Sequence, residues 1–217
     1  MRILHVSDIH GNMAAVEKIV DKSNEFKVSL VVVTGDLTHF GEVEDAETIL
    51  EKISQSGRDV FFVPGNCDPR ALLRWSPVNP HIKNLHLNSV EYMGREFIGL
   101  GGAVGSYGTL IEFTEEEVEE ALKSIAPLKS GFIFVSHSPP YGLEIDYTGV
   151  KHIGSKAVKK FIELHHPKLV LCGHAHEGRG IVEISGTVVV NSGPAKNGYC
   201  SIVEVGEDVE VQLTMLY

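Results

Sequence analysis

The sequence predicts an α/β fold with mixed sheets, on three observations. Five short apolar runs rich in β-branched and aromatic residues lie at 3–6, 30–33, 60–63, 132–135 and 169–172. Segments of helical period separate the first three, which makes βαβ units. After His176 short apolar or alternating runs broken by glycine-containing turns take over, the pattern of an antiparallel section.

Ile3 to Val6 reads as the first buried strand, with His5 packed inside it. A short helix candidate runs from Met13 to Val20, before the second strand at Leu30 to Val33. Val43, Ala46, Ile49, Leu50 and Ile53 then recur on one helical face, and Val60 to Val63 follows as the third strand. Pro69, Pro77 and Pro80 interrupt any helix in 69–94, where only a hairpin around Asn88 to Arg95 is suggested. Gly99 to Gly108 reads as a mobile loop after a strand, and it lacks the Lys-Ser/Thr ending of a phosphate-cradling P-loop.

Thr114 with Glu117 forms a capping box ahead of Val118, Ala121, Leu122 and Ile125, which share one helix face. The acidic run Glu115 to Glu117, with Glu119 and Glu120, reads as a solvated surface. Ser155 caps a further helix, whose buried face carries Ala157, Val158, Phe161 and Ile162 and which stops before Pro167. His165 and His166 fall at its end, where polar side chains meet the helix dipole. Residues 180–190, 199–205 and 208–215 complete the strands.

A chain of 217 residues suits one domain, 1–217, large enough to bury a core without disulfides. Its three cysteines, Cys67, Cys172 and Cys200, are far apart and form no C-x-x-C pair, which fits reduced thiols in a cytoplasm. No signal-peptide core and no apolar run of membrane-spanning length is present, so no membrane association is expected. The net charge of -10 repels nucleic acid, yet bound divalent cations would still draw in a small phosphorylated substrate.

Each of the five apolar runs ends in residues of metal-ligand type. They are Asp8-Ile9-His10, Gly35-Asp36, Gly65-Asn66-Cys67-Asp68, His137, and Gly173-His174-Ala175-His176. Taken singly these are weak signals, since an Asp-x-His pair is more often an ordinary strand-end turn. Their joint occurrence is not, because parallel strands deliver their carboxyl-terminal loops to one rim, so distance in sequence becomes proximity in space.

In order and residue type the five segments resemble the signature of the calcineurin-like metallophosphoesterases: D-x-H, G-D, G-N-H-D/E, a lone H, and G-H-x-H. Four match outright and the third departs at Cys67. The resemblance spans Asp8 to His176 and implies a four-layer α-β-β-α sandwich of two mixed sheets flanked by helices. It implies two divalent cations, one held by Asp8, His10 and His176 and the other by Asn66, His137 and His174, with Asp36 bridging. Manganese is the expected metal, with Fe, Zn, Co and Ni also suited to mixed N and O donors. The implied reaction is phosphoester hydrolysis by a metal-bridging hydroxide, on a phosphodiester in preference to a phosphomonoester. A catalytically weak binding scaffold on the same fold is the alternative of another class.

Cys67 matters because the family's imidazole at that place contacts phosphate and helps protonate the leaving group. His152, in the loop Gly149 to Gly154, is the expected catalytic substitute, with His39 behind it. Asn12, at a helix start, suits an amide donated to phosphate as well as a helix cap. Asp68 is expected to orient Cys67 or a histidine, or to serve as a turn residue.

Overall fold

The computed structural model describes residues 1–125 and 128–217. The elements in chain order are β1 (Arg2–Val6), α1 (Met13–Glu25), β2 (Leu30–Thr34), α2 (Val43–Ser54), β3 (Asp59–Val63), β4 (Ile82–Asn84), β5 (Ser89–Tyr92), β6 (Arg95–Leu100), β7 (Ala103–Val104), β8 (Glu112–Phe113), α3 (Glu115–Lys123), β9 (Ile133–Ser136), α4 (Lys156–His165), β10 (Leu169–Cys172), β11 (Gly180–Ile184), β12 (Thr187–Asn191), β13 (Tyr199–Val205) and β14 (Val209–Met215). Short 3₁₀ turns intervene, among them Arg70–Arg74 and Ala195–Asn197.

Two six-stranded sheets form, in the orders β14-β13-β1-β2-β3-β4 and β11-β12-β10-β9-β6-β5. Each has four parallel strands, β1 to β4 in the first and β6, β9, β10 and β12 in the second. Antiparallel strands complete the edges. β2 is buried at all five positions because both faces of its sheet are covered. Edge strand β14 alternates, with Val209, Val211 and Leu213 turned to the core.

The alternation of side chains along each strand separates three apolar layers. Leu4, Val31, Val33 and Phe62 pack on Ile19 of α1 and Ile49 and Ile53 of α2. Leu30, Val32 and Phe61 face the other way and meet Phe97, Ile133 and Leu171 of the second sheet. Phe134 and Val170 pack outward on Val118 of α3 and on Val158 and Phe161 of α4. The result is the expected α-β-β-α sandwich.

Two sequence expectations change in detail and a third, the hairpin, is met. Helix α1 continues past Val20 to Glu25, because its buried face runs on through Ser23, whose hydroxyl donates to the Val20 carbonyl, and Phe26 packs on the same core. Gly99 is inside β6 rather than in a mobile loop, and the chain beyond it is tied by the β7–β8 pairing and by Leu110 and Ile111 N–H groups donating to the Asn66 carbonyl. The hairpin near Asn88 to Arg95 is β5–β6, closed by Met93 and Gly94 in the left-handed region that a two-residue turn requires.

Candidate metal centre

The loops after β1, β2, β3, β9 and β10 meet at one end of the paired sheets. Four of the residues named as metal ligands hold positive φ: Asp8 at 54°, His10 at 49°, Asp36 at 49° and His174 at 65°. For a residue with a Cβ this costs roughly 1–2 kcal/mol, so surrounding bonds must hold it. They do so across the loops. The Asp8 N–H donates to Gly35 O at 3.0 Å, His10 N–H to Asp36 O at 2.8 Å, and Gly173 N–H to His137 O at 3.1 Å. A Cβ on Gly173 would lie 1.7 Å from Ser7 Oγ, and one on Gly65 would lie 2.1 Å from the Asp36 nitrogen. Both motif glycines are therefore there to let loops touch.

Donor atoms of Asp8, His10 and His176 all lie within 4.8 Å of one another, as do those of Asp8, Asp36 and His137. Asp8 Oδ1 is 3.1 Å from His176 Nε2, which lies 3.4 Å from His10 Nε2. Asp36 stands between the groups, with Oδ2 3.6 Å from His10 Nε2 and Oδ1 3.6 Å from His137 Nε2. His137 Nε2 in turn is 2.8 Å from Asn66 Oδ1, and the His174 ring centroid is 5.1 Å from that of His137. All seven residues named as metal ligands by their sequence motifs thus come together.

Hydrogen bonds behind the cluster aim it. His137 Nδ1 donates to the Thr34 carbonyl at 2.7 Å, which leaves Nε2 as the lone-pair nitrogen facing inward. Asp36 Oδ1 accepts from the Cys67 N–H at 2.8 Å, and Asp8 Oδ2 accepts from the His174 N–H at 3.1 Å. Among the described residues His10 Nδ1 and His174 Nε2 are buried without a partner, a cost unless something binds there.

Burial brings His10 down to about 4 and His174 down to about 3, so both rings are neutral donors at pH 7. Burial also pushes Asp36 up, against the pull of His137 and with help from Asp8 and Asp68. Burial works on Asp8 in the same direction, but there the His176 hydrogen bond and the charges of His137 and His176 win and hold it low. Imidazoles, an amide oxygen and carboxylates crowded in a largely buried cluster are a donor set that divalent cations fit. Asp8, His10, Asp36, Asn66, His137, His174 and His176 are the residues that would hold them.

The remaining candidates separate. Cys67 is buried beside Asn66, and burial first, then Asp36, pushes its thiol up, so it is a neutral thiol. Among the described residues, none of His152's hydrogen bonds or ring contacts reaches the cluster: its Nδ1 bonds Asp146 at 2.8 Å and its ring lies between Tyr141 and Tyr147. Asp146 explains why, since it also accepts from the N–H groups of Gly142, Leu143 and Gly154 and organises that loop around itself. His39, the lesser choice from sequence, is the one beside the site. Its ring is 5.3 Å from that of His10, and donor atoms of His10, His39 and Cys67 lie within 4.8 Å.

Asn12 caps α1, its Oδ1 accepting from Ala15 N–H, while Nδ2 donates to the Lys196 carbonyl. One amide hydrogen is left for a ligand. Asp68 does not orient Cys67: its carboxylate accepts from the N–H groups of Gly65, Leu37 and Thr38 and from the Thr38 hydroxyl, clamping two ligand loops together. His166 ends α4 in the left-handed region and His165 packs on Phe161, the helix-end placement expected for that pair. Glu115 is not merely solvated, because it accepts from Ser155 Oγ and from the N–H groups of Lys156 and Ala157 at the start of α4.

This geometry has relatives. A model of the calcineurin-like phosphoesterase family matches residues 1–178. An uncharacterized protein of Methanocaldococcus jannaschii is 32% identical over 204 residues, covering 89% of this chain and 88% of that protein. A probable glycerophosphodiester phosphodiesterase of Arcobacter nitrofigilis is 28% identical over 162 residues, 69% of this chain and 57% of that protein's length. The crystal structure of a Thermus thermophilus protein has the same fold, with a TM-score of 0.81 at 22% identity over 100% of this chain and 99% of that one. The chain belongs to the calcineurin-like phosphoesterases. It is a phosphoester-hydrolysing enzyme of a family that works through a pair of bound metal ions.

Proposed function

We propose that the protein hydrolyses a small phosphodiester, with two manganese ions held by Asp8, His10, Asp36, Asn66, His137, His174 and His176. The observation that carries this reading is the position of Asp36, whose two oxygens face His10 on one side and His137 on the other at 3.6 Å each. A carboxylate so placed can hold two cations near each other and screen their repulsion. When bound, such a pair would supply a water acidified toward neutrality and positive charge for the phosphate oxygens.

The chain's own groups do the rest. Asp8 orients the second sheet's loop through the His174 N–H, Asn66 Oδ1 and His137 Nε2 lie 2.8 Å apart as two lone-pair donors for one cation, and Cys67 fixes Asp36 through its N–H. A neutral thiol at position 67 protonates a departing alkoxide poorly, which favours esters with good leaving groups. A cavity of about 430 Å³ beside His10, walled by Met13, His39, Asp45 and Thr48, offers room for one ester substituent. The Arcobacter relative bears a phosphodiesterase name, which supports the diester preference. Three buried free thiols and a net charge of -10 fit a reducing cytoplasm and a small substrate rather than a polynucleotide.

The test is steady-state hydrolysis of bis-p-nitrophenyl phosphate and p-nitrophenyl phosphate by metal-stripped protein reloaded with Mn, Fe, Co, Ni, Zn or Mg. Diester turnover highest with Mn is expected. Monoester turnover alone would replace the diester reading, and silence on both in protein carrying two metals would favour the binding scaffold.

A further inference from the structure

The last crossover of the chain, beyond the segment that the family model matches, returns to the metal centre. Residues 194 to 196 run beside 7 and 8, with Ser7 bridged to Pro194, Ala195 N–H donating to Ser7 O at 2.7 Å and Lys196 N–H donating to Asp8 O at 3.2 Å. The Lys196 carbonyl accepts from Asn12 Nδ2 at 3.2 Å. Its backbone is thus fixed on both sides, against a residue of the cluster and against the start of α1.

The Lys196 side chain is half-buried, and among the described residues its ammonium has no carboxylate within salt-bridge distance and donates no hydrogen bond. An ammonium without an anionic partner is free to pair with an anionic ligand. Because its N–H is bonded to Asp8 O and its carbonyl to Asn12, the Lys196 side chain starts at the edge of the cluster and carries a positive charge there. Bound cations would add to that positive charge, and Asp8 and Asp36 are already turned to the histidines.

We propose that Lys196 is a phosphate-binding residue, whose ammonium pairs with a non-bridging oxygen of the phosphoester and of the phosphate product at the edge of the cluster beside Asp8 and Asn12. This rests on the phosphohydrolase reading and adds a substrate contact to it. A compact ammonium suits a phosphate oxygen as a point charge, and such charge-assisted bonds are the strong ones. Asn12, by holding the Lys196 carbonyl, is a positioning residue for it.

The experiment uses manganese-loaded full chain as wild type, Lys196→Gln and Lys196→Arg. Inorganic phosphate binding is read by titration calorimetry, and KM and kcat on bis-p-nitrophenyl phosphate are read alongside metal content. Lys196→Gln is expected to weaken phosphate binding and raise KM about tenfold with two metals retained, while Lys196→Arg stays within about threefold of wild type. The proposal is overturned if Lys196→Gln binds phosphate within twofold of wild type, if it changes kcat alone, if it loses metal, or if wild type binds no phosphate. Should wild type bind phosphate yet hydrolyse neither test ester, the phosphohydrolase reading is what is in doubt, and the calorimetric comparison still decides for or against Lys196.

Discussion

The two sheets contribute to the metal centre in different chemical currencies. The first supplies Asp8, His10, Asp36 and Asn66, and with them both carboxylates of the cluster; the second supplies only imidazoles, from His137, His174 and His176. Each also has its own clamp. Asp68 gathers N–H donors from the loops of the first sheet, whereas Asn191 turns Nδ2 toward the carbonyls of Ile145 and Ala175 in the second and accepts from Gly193 N–H. The difference teaches that charge balance is set by one half and donor geometry by the other, so the site exists only where the sheets meet.

If that division holds, replacements on opposite sides should fail differently. Asp36→Asn removes the charge that lets two cations sit together, and diester turnover should fall at least about a thousandfold. His174→Ala, on the other side, should mainly lower the metal content from two toward one, with a smaller loss of turnover when metal is supplied in excess. Elemental analysis beside initial rates distinguishes the two. Equal loss of turnover in both variants with metal in excess would break the comparison.

The clamps offer the next largest effect. Asp68→Asn turns an acceptor into an N–H facing other N–H groups, and should cost about 3 kcal/mol in denaturant unfolding. Asn191→Asp makes the reverse error by setting a carboxylate against carbonyl oxygens. Its cost should be similar at pH 7 and shrink as pH falls, because a protonated carboxyl regains one donor. A pH-independent loss for Asn191→Asp would mean that its amide is not acting as a donor.

Most of the ligand set was legible because each residue lies just past an apolar run, a pattern that chain order preserves. The clamps were not, since Asp68, Asn191 and Asp146 act through backbone groups that are distant in sequence and carry no residue signature. His152 suited a proton donor from its place in a glycine-flanked loop, but the buried Asp146 claims its ring. His39 could have been preferred on one ground: it lies three residues past Asp36, inside a loop already committed to the rim. Lys196 left no signal, because 191–198 reads as a turn between strands until its backbone is seen against Asp8.

The sheets also differ inside. His5, on β1, is fully buried between Thr34 of β2 and Ser201 of β13, its Nε2 3.0 Å from Thr34 Oγ1 and its Nδ1 3.3 Å from Ser201 Oγ. On β10 of the second sheet the corresponding buried polar group is Cys172, whose thiol burial pushes up and whose Sγ donates to Val190 O. Burial brings His5 down to about 3, below the value near 6.5 of an unfolded chain. The folded state therefore binds fewer protons in that window, and the stability held above pH 6.5 is lost as pH falls toward 3. By pH 5 the single group should have removed about 2 kcal/mol. Melts of wild type and His5→Gln at pH 7 and pH 5, in chelator to keep metal out, read it as a change in their difference; Cys172→Ala should show no such change. A stability gap between wild type and His5→Gln that is constant across this range would place the acid sensitivity elsewhere and remove the contrast between the two interiors.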